Sequence, residues 1–421
     1  MSFVPTERAR ALSTDKRKAE IIIVGAGAVG LLTALKLGRA GIDTIVLEAY
    51  NDILRAPRAI AYMPVVVKEL QKLGIYDRLK AIGEVNNRGV TWRSQAGEEY
   101  AYFDPEQERL TLGQDKVALA VLGVLKEECP TVQVIFGQRG VGLEQETGAV
   151  RVMTTGDEED HIWEAKFVLG CDGANSSVRR MSMIPFEGFT WKNFRFTAVD
   201  VDYDFVGHCG FPQANMVVDP EEWAVIAKTG NGNIWRVCYG ERPELSLDKK
   251  EMNDRAHGRI MGFLKPMNKD GIFDYKITRL SPYWAHQRCA TTYRKGNVLL
   301  AGDAAHSNNP VGGLGLTGGI LDAVVFGNAL IRHLRGGEPD EIITKAAEAR
   351  RSTWLSFINP TSQTNFRRLF SVEDADASER EAFFKKLNQA DEQFLAAARS
   401  HTNLLPDDFE PVETKILHAH I

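Results

Sequence analysis

Apolar positions fall into short runs that stop at glycine or at an acid, and the spacing between runs changes character along the chain. Ile21-Ile22-Ile23-Val24 breaks at Gly25 and leads into a helical periodicity over residues 29–39, which Gly41 stops. Ile45-Val46-Leu47 follows and ends on Glu48, so a β-α-β unit with a buried parallel pair is predicted. Val132-Gln133-Val134-Ile135 and Ala149-Val150-Arg151-Val152-Met153 read as strands of a small meander, and Phe167-Val168-Leu169 as a buried strand before Gly170. Between about 186 and 285 the pattern turns aromatic and alternating, as in Phe194-Arg195-Phe196-Thr197-Ala198-Val199 and Ile234-Trp235-Arg236-Val237-Cys238-Tyr239, which suits an antiparallel sheet with one packed face. Asn297-Val298-Leu299-Leu300-Ala301 is a further buried strand, followed by a glycine-dense turn and an apolar helical pattern over about 320–334 that Gly336-Gly337 ends.

The expected fold class is therefore α/β. A discontinuous Rossmann-type nucleotide lobe covers 18–185 and 286–345, a mostly antiparallel β-sheet lobe covers 186–285, and a helical extension covers 346–421. The chain has 421 residues, enough for two lobes with a large cofactor buried between them. A formal charge of −5 leaves no electrostatic footprint for a nucleic-acid backbone, so no nucleic-acid partner is expected. The N-terminal residues lack the apolar core of a secretion signal, and no segment is read as a membrane span, so a cytoplasmic location is expected. Five scattered cysteines without paired C-x-x-C spacing imply free thiols and no structural metal.

Three segments carry candidate chemistry. Gly25-Ala-Gly27-Ala28-Val29-Gly30 follows a strand and opens a helix: Gly25 permits the turn, Gly27 lets a pyrophosphate approach the backbone, and Gly30 allows close packing. Glu48, followed by Ala49, ends the next strand where a carboxylate accepts from ribose hydroxyls and disfavours a 2′-phosphate, which points to resident FAD or NAD. In the second segment a buried strand delivers Asp303 at its C-terminal end, then runs through His306, Pro310, Gly313, Gly315 and Leu316 into an apolar helix. An acid there suits polyol hydroxyls, and a helix start suits a ring that becomes anionic, such as a reduced flavin. The third, Gly170-Cys171-Asp172-Gly173, also ends a strand, with Asp172 either bracing a ligand turn or serving as a helix cap.

In this order the three segments resemble the class A flavoprotein monooxygenases, the group typified by para-hydroxybenzoate hydroxylase: their GxGxxG, DG and GD motifs. The similarity spans about 20–345. Arg58 with the nearby Ala61, and Gln114, match family positions that contact FAD. The resemblance implies tightly bound FAD, NADPH or NADH as transient reductant, O2 as co-substrate, and hydroxylation or epoxidation of a small aromatic, indolic or alkene substrate through a C4a-hydroperoxyflavin. It places Asp303 on the ribityl chain, Leu316 at the flavin carbonyl edge, and Asp172 beside flavin and nicotinamide. Leu314 and Thr317 stand where many members have Gln and Asn. Pro310 is the expected lining of the reaction site, on the ground that its ring presents a carbonyl with no competing N–H; His306 is expected to brace its loop.

Substrate contacts are sought among Arg195, His208, Trp223, Trp235, Tyr239, Trp284 and His286. The acid–base residue, the choice between NADH and NADPH, and the choice between monomer and homodimer stay open. A reductase or dehydrogenase on the same fold, or a non-enzymatic FAD-fold binder resembling the GDP-dissociation inhibitors, are the alternatives.

Overall fold

The computed structural model describes residues 17–55, 58–86, 88–156, 159–400 and 404; Pro57, the N-terminal arm and the rest of the C-terminal tail lie outside the described residues. The strand Arg17–Val24 lies between Thr44–Leu47 on one side and Asp160–Gly170 on the other, with Val132–Ile135 and Val298–Leu300 flanking these, all parallel. The chain fills this sheet in one direction from Arg17–Val24 through Val132–Ile135, then in the other through Asp160–Gly170 and Val298–Leu300. The reversal falls between Arg17–Val24 and Asp160–Gly170, and ligands of such sheets bind outside the strand carboxyl ends at that point. Ile21, Ile22 and Ile23 are wholly buried, which explains a continuous apolar run instead of an alternating one.

Val132–Ile135 thus belongs to the parallel sheet and not to a meander; the antiparallel pairing involves Arg139–Glu146, Ala149–Thr155 and the first half of Asp160–Gly170. Four apolar-alternating residues fit either setting, and only the neighbour across the ladder separates them.

The second sheet has seven strands in the spatial order Lys276–Tyr283, Arg195–Asp202, Ile234–Glu241, Ala224–Asn231, Ala214–Val218, Val90–Ser94, Glu99–Phe103. All pairs are antiparallel except Ala214–Val218 with Val90–Ser94. Two of its strands therefore come from inside the stretch 18–185, so sheet membership does not follow chain order. One face packs Val199, Trp235, Val237 and Tyr239 under the helix Lys249–Met267. The other carries Cys238 and Phe196 into a cluster with Val311 of the late glycine turn and Phe366 of the helix Asn359–Phe370.

The apolar helix runs over Leu314–Leu334, starting earlier than its periodicity suggests because Gly313 is its N-cap. By length and mean hydropathy, 1.6, it reaches the range of a membrane-crossing helix, contrary to the expectation that no segment does. Most of it, 78% over its most apolar window, is buried inside the fold, against the helix Ala28–Arg39 and others. All five cysteines are free.

Candidate active site

Three backbone bonds align the strand ends. Gly25 N donates to Leu47 O at 2.8 Å, Cys171 N to Val24 O at 2.7 Å, and Ala301 N to Gly170 O at 3.0 Å. Gly25, Cys171 and Ala301 therefore stand in a row at the carboxyl end of the parallel strands, and each belongs to one of the three segments read from sequence.

Two of the first three glycines are dictated by protein atoms. Gly25 has φ 110° and a side chain there would collide with the Cys171 carbonyl, while a side chain at Gly30 would collide with the Gly25 carbonyl. Gly27 is different: it is exposed, caps the helix Ala28–Arg39 in an extended conformation, and a Cβ on it would meet nothing within 4 Å. Open space beside the free N–H groups of a helix start, with no protein reason for glycine, fits an anionic ligand seated there. Ala28 is buried and Val29 half-buried.

Val29 joins the early and late segments. A Cβ on Gly302 would lie 3.1 Å from Val29 Cγ2, and one on Gly319 2.9 Å from it. The helix after the first turn and the helix after Asp303 therefore meet through glycine faces at one crevice.

Glu48 is half-buried, and its carboxylate accepts from Ala26 N at 2.7 Å and Tyr50 N at 3.0 Å. It latches the glycine turn. Ala49 is half-buried beside it. Arg58 is exposed, and the stretch after it is paired across to the other family positions: Gln114 N donates to Ala59 O at 3.0 Å, and Ala61 pairs with Thr111. Gln114 opens the helix Gln114–Glu128 behind the cap Gly113.

Asp303 is exposed just beyond the carboxyl end of the strand Val298–Leu300. Desolvation raises its carboxyl pKa, against the pull of His306 and Arg58. Arg58 thus acts on Asp303 across the crevice, although 245 positions separate them in the chain numbering.

The brace under Asp303 went unread in the sequence. Asp322, wholly buried in the apolar helix, accepts from Gly302 N at 2.9 Å, from His306 Nε2 at 2.8 Å and from Arg350 Nε at 2.7 Å. Arg350 also donates to Gly318 O at 3.1 Å and Leu404 O at 2.5 Å. Burial alone raises the Asp322 pKa, but His306 and Arg350 outweigh it and the net shift is downward. His306, 1% exposed, therefore braces the loop, as expected.

Asp172 is a helix brace: its Oδ2 accepts from Ser177 N at 2.6 Å, Ser177 Oγ at 2.8 Å and Val178 N at 3.2 Å. Its Oδ1 is buried with no partner among the described residues. Arg179 ties this segment to the late one by donating to Ala304 O at 2.8 Å.

Pro310 is exposed next to the helix start, and its carbonyl accepts from Gly313 N at 3.2 Å, which leaves one lone pair of that oxygen for a further donor. Gly312 and Gly313 both have positive φ, which lets the turn close tightly ahead of Leu314. Gly315 and Leu316 are half-buried, Leu314 is buried, and Thr317 bonds its hydroxyl back to Gly313 O at 2.8 Å. Leu314 and Thr317 thus support the turn from within.

Most aromatic and basic candidates of the second sheet are structural. Trp223, Trp235 and Tyr239 are core, Arg195 pairs with the buried Glu241, and His208 bonds Asp270. Trp284 is exposed at 41%. His286 bonds Thr190 Oγ1 at 2.8 Å, and burial together with Arg288 holds its pKa down.

The face of this sheet that meets the late turn carries other residues. Arg236 holds Asp200 bidentately at 2.8 and 2.9 Å and donates to Arg58 O at 2.6 Å. Two residues on, Cys238 Sγ lies 3.3 Å from Tyr283 Oη. Burial pushes the thiol up to about 11 and the phenol well above its ordinary value. The alternation Arg236, Cys238 against Trp235, Val237, Tyr239 was the signal that could have found them.

A family model described as FAD binding domain matches residues 18–356. The chain belongs to this family. Para-nitrophenol 4-monooxygenase of Pseudomonas sp. (strain WBC-3) is 36% identical over 379 residues, which cover 87% of this chain and 91% of that one. The 6-hydroxy-3-succinoylpyridine 3-monooxygenase HspB of Pseudomonas putida (strain DSM 28022 / S16) is 35% identical over 365 residues, covering 84% and 89%. The crystal structure of p-nitrophenol 4-monooxygenase PnpA from Pseudomonas putida DLL-E4 superposes with a TM-score of 0.85 at 34% identity, over 93% of this chain and 99% of that one. The protein is an FAD-dependent monooxygenase of the aromatic hydroxylase class, as the three motifs implied, and the reductase and non-enzymatic alternatives fall away.

Proposed function

We propose that this monooxygenase hydroxylates a small phenolic or hydroxypyridine ring, with FAD lying along the crevice between the two glycine-rich turns. The supporting observation is the packing of Val29 on Gly302 and Gly319, which brings both turns to one place. Gly25, Gly27, Ala28, Val29 and Gly30 would take the pyrophosphate, and Glu48 with Ala49 the adenosine ribose. Asp303 would hold the ribityl hydroxyls, with Arg58, Ala61 and Gln114 on the opposite wall. Gly313, Gly315 and Leu316 would meet the ring edge at a helix start, and Asp172 would hold the turn on the remaining side by bracing the helix that follows it.

When bound, FAD supplies electron transfer from NADPH or NADH and the activation of O2. The chain's part is to bind, orient and keep water out. The ring of the substrate would enter between Pro310 and the face of the second sheet that bears Cys238 and Tyr283. Both groups are neutral near pH 7, so they serve as hydrogen-bonding partners for a ring oxygen and not as bases. The names of the two relatives, a nitrophenol and a hydroxypyridine monooxygenase, favour an oxygen-bearing aromatic ring over an alkene. Free thiols at all five cysteines suit the cytoplasm.

The test is a panel of phenols and hydroxypyridines, para-nitrophenol first, assayed for stimulated NADPH or NADH oxidation together with a hydroxylated product. Purified protein should be yellow and release FAD on denaturation. Colourless protein, or nicotinamide oxidation with peroxide as the sole product across the panel, contradicts the reading.

A further inference from the structure

Gln287, 2% exposed in the strand His286–Ala290, is the centre of a buried network of neutral amides. Its Oε1 accepts from Asn309 N at 3.1 Å, Asn309 Nδ2 at 3.3 Å and Trp191 Nε1 at 3.4 Å. Asn309 N and Trp191 Nε1 can only donate, which fixes the orientation of the amide. Its Nε2 then donates to Ser362 Oγ at 2.7 Å and Asn359 Oδ1 at 3.0 Å, both in the helix Asn359–Phe370.

Asn309, wholly buried, straddles Pro310. Its own N–H and side-chain NH2 are held by Gln287 and by Ser362 O at 2.9 Å, while its Oδ1 accepts from Val311 N at 3.0 Å. The backbone is therefore pinned on both sides of Pro310, whose ring already fixes φ. The same helix reaches the next part of the turn, where a Cβ on Gly312 would lie 2.6 Å from Asn365 Nδ2.

We infer that Gln287 and Asn309 are positioning residues that set the Pro310 turn against the reacting ring, and that the helix Asn359–Phe370 of the C-terminal extension is thereby part of the active site. The inference rests on the proposed role of that turn in the flavin crevice. Because every member is an uncharged amide, hydroxyl or indole N–H, the setting of the turn does not change with pH. Loss of one member frees the turn without touching the nucleotide end of the crevice.

The test compares the FAD-loaded parent with Gln287→Met, which removes the whole hub, and Ser362→Ala, which removes one hydroxyl and spares the fold if the first variant fails to fold. Hydrogen exchange of residues 309–313 and the visible circular dichroism of bound FAD are measured in each. The expected result is unchanged FAD stoichiometry, an altered flavin dichroism, and exchange at Val311 and Gly313 faster by roughly tenfold in Ser362→Ala, the effect of about one lost buried hydrogen bond. Ser362→Thr should restore both readings. Lowered thermal stability with the dichroism and the 309–313 exchange of the parent would overturn the inference, whereas a parent that binds no FAD would overturn the functional reading instead.

Discussion

Gly27 separates what the fold needs from what the cofactor needs. An alanine there meets no protein atom within 4 Å and adopts φ −74°, ψ 177° without strain. Replacing glycine at such a site gains about 0.4–1 kcal/mol from the unfolded chain, and alanine is a poorer N-cap by a similar amount. The two effects nearly cancel, so the apoprotein of Gly27→Ala should melt within about 3 °C of the parent. The holoprotein should differ sharply. With FAD seated as proposed, the added methyl group would stand where the pyrophosphate approaches the helix N–H groups, and loss of one charge-assisted hydrogen bond costs about 1.5–3 kcal/mol. FAD affinity should fall by roughly 10- to 100-fold, read from flavin fluorescence as the stripped protein is titrated with FAD. Gly30→Ala is the contrast, because its side chain runs into the Gly25 carbonyl and should destabilise the apoprotein itself. Unchanged FAD affinity in Gly27→Ala, or a loss of apoprotein stability equal to that of Gly30→Ala, would refute the assignment of the turn.

Asp303→Asn should weaken FAD binding by about tenfold or more while stabilising the apoprotein at neutral pH. The folded-state pKa of Asp303 is raised, so the native protein binds more protons than the unfolded one between the two values, and stability falls as pH rises through that window. The advantage of the variant in a melting series should shrink on acidification below the raised value. Asp322→Asn should cost about 3–5 kcal/mol by leaving His306 and Arg350 without their shared partner. Since the Asp322 pKa is depressed, that stabilisation is present above the ordinary carboxylate range and lost as pH falls through the folded value, so acid denaturation curves of parent and variant should converge at low pH. Tyr283→Phe should raise KM for a phenolic substrate by about 3- to 10-fold with little change in kcat, the mark of a binding contact, in steady-state assays.

The nucleotide lobe was legible because its signals are local. Wholly buried parallel strands read as continuous apolar runs, and Gly25 and Gly30 answer steric demands from neighbours close in the fold. The position of Asp303 just after a buried strand is legible in the apolar run before it, and His306 sits in its loop as read, bonded to Asp322. What escaped depends on distant pairing. Val90–Ser94 joins the second sheet only because Ala214–Val218 lies beside it in parallel, and nothing within its five residues announces that. Asp322 reads as one acid in an apolar helix until Arg350 and His306 are brought to it. The bond from Gly313 N to the Pro310 carbonyl follows from two positive-φ glycines whose conformation the sequence permits without requiring. Cys238 and Tyr283 are 45 residues apart and meet across the sheet face.

The most direct test is a crystal structure of the protein with FAD. The account predicts a single nucleotide whose pyrophosphate lies on the backbone N–H groups after Gly27 and whose ribityl hydroxyls lie within hydrogen-bond distance of the Asp303 carboxylate. FAD bound at the early turn with Asp303 beyond that distance, or seated at another part of the molecule, would contradict it.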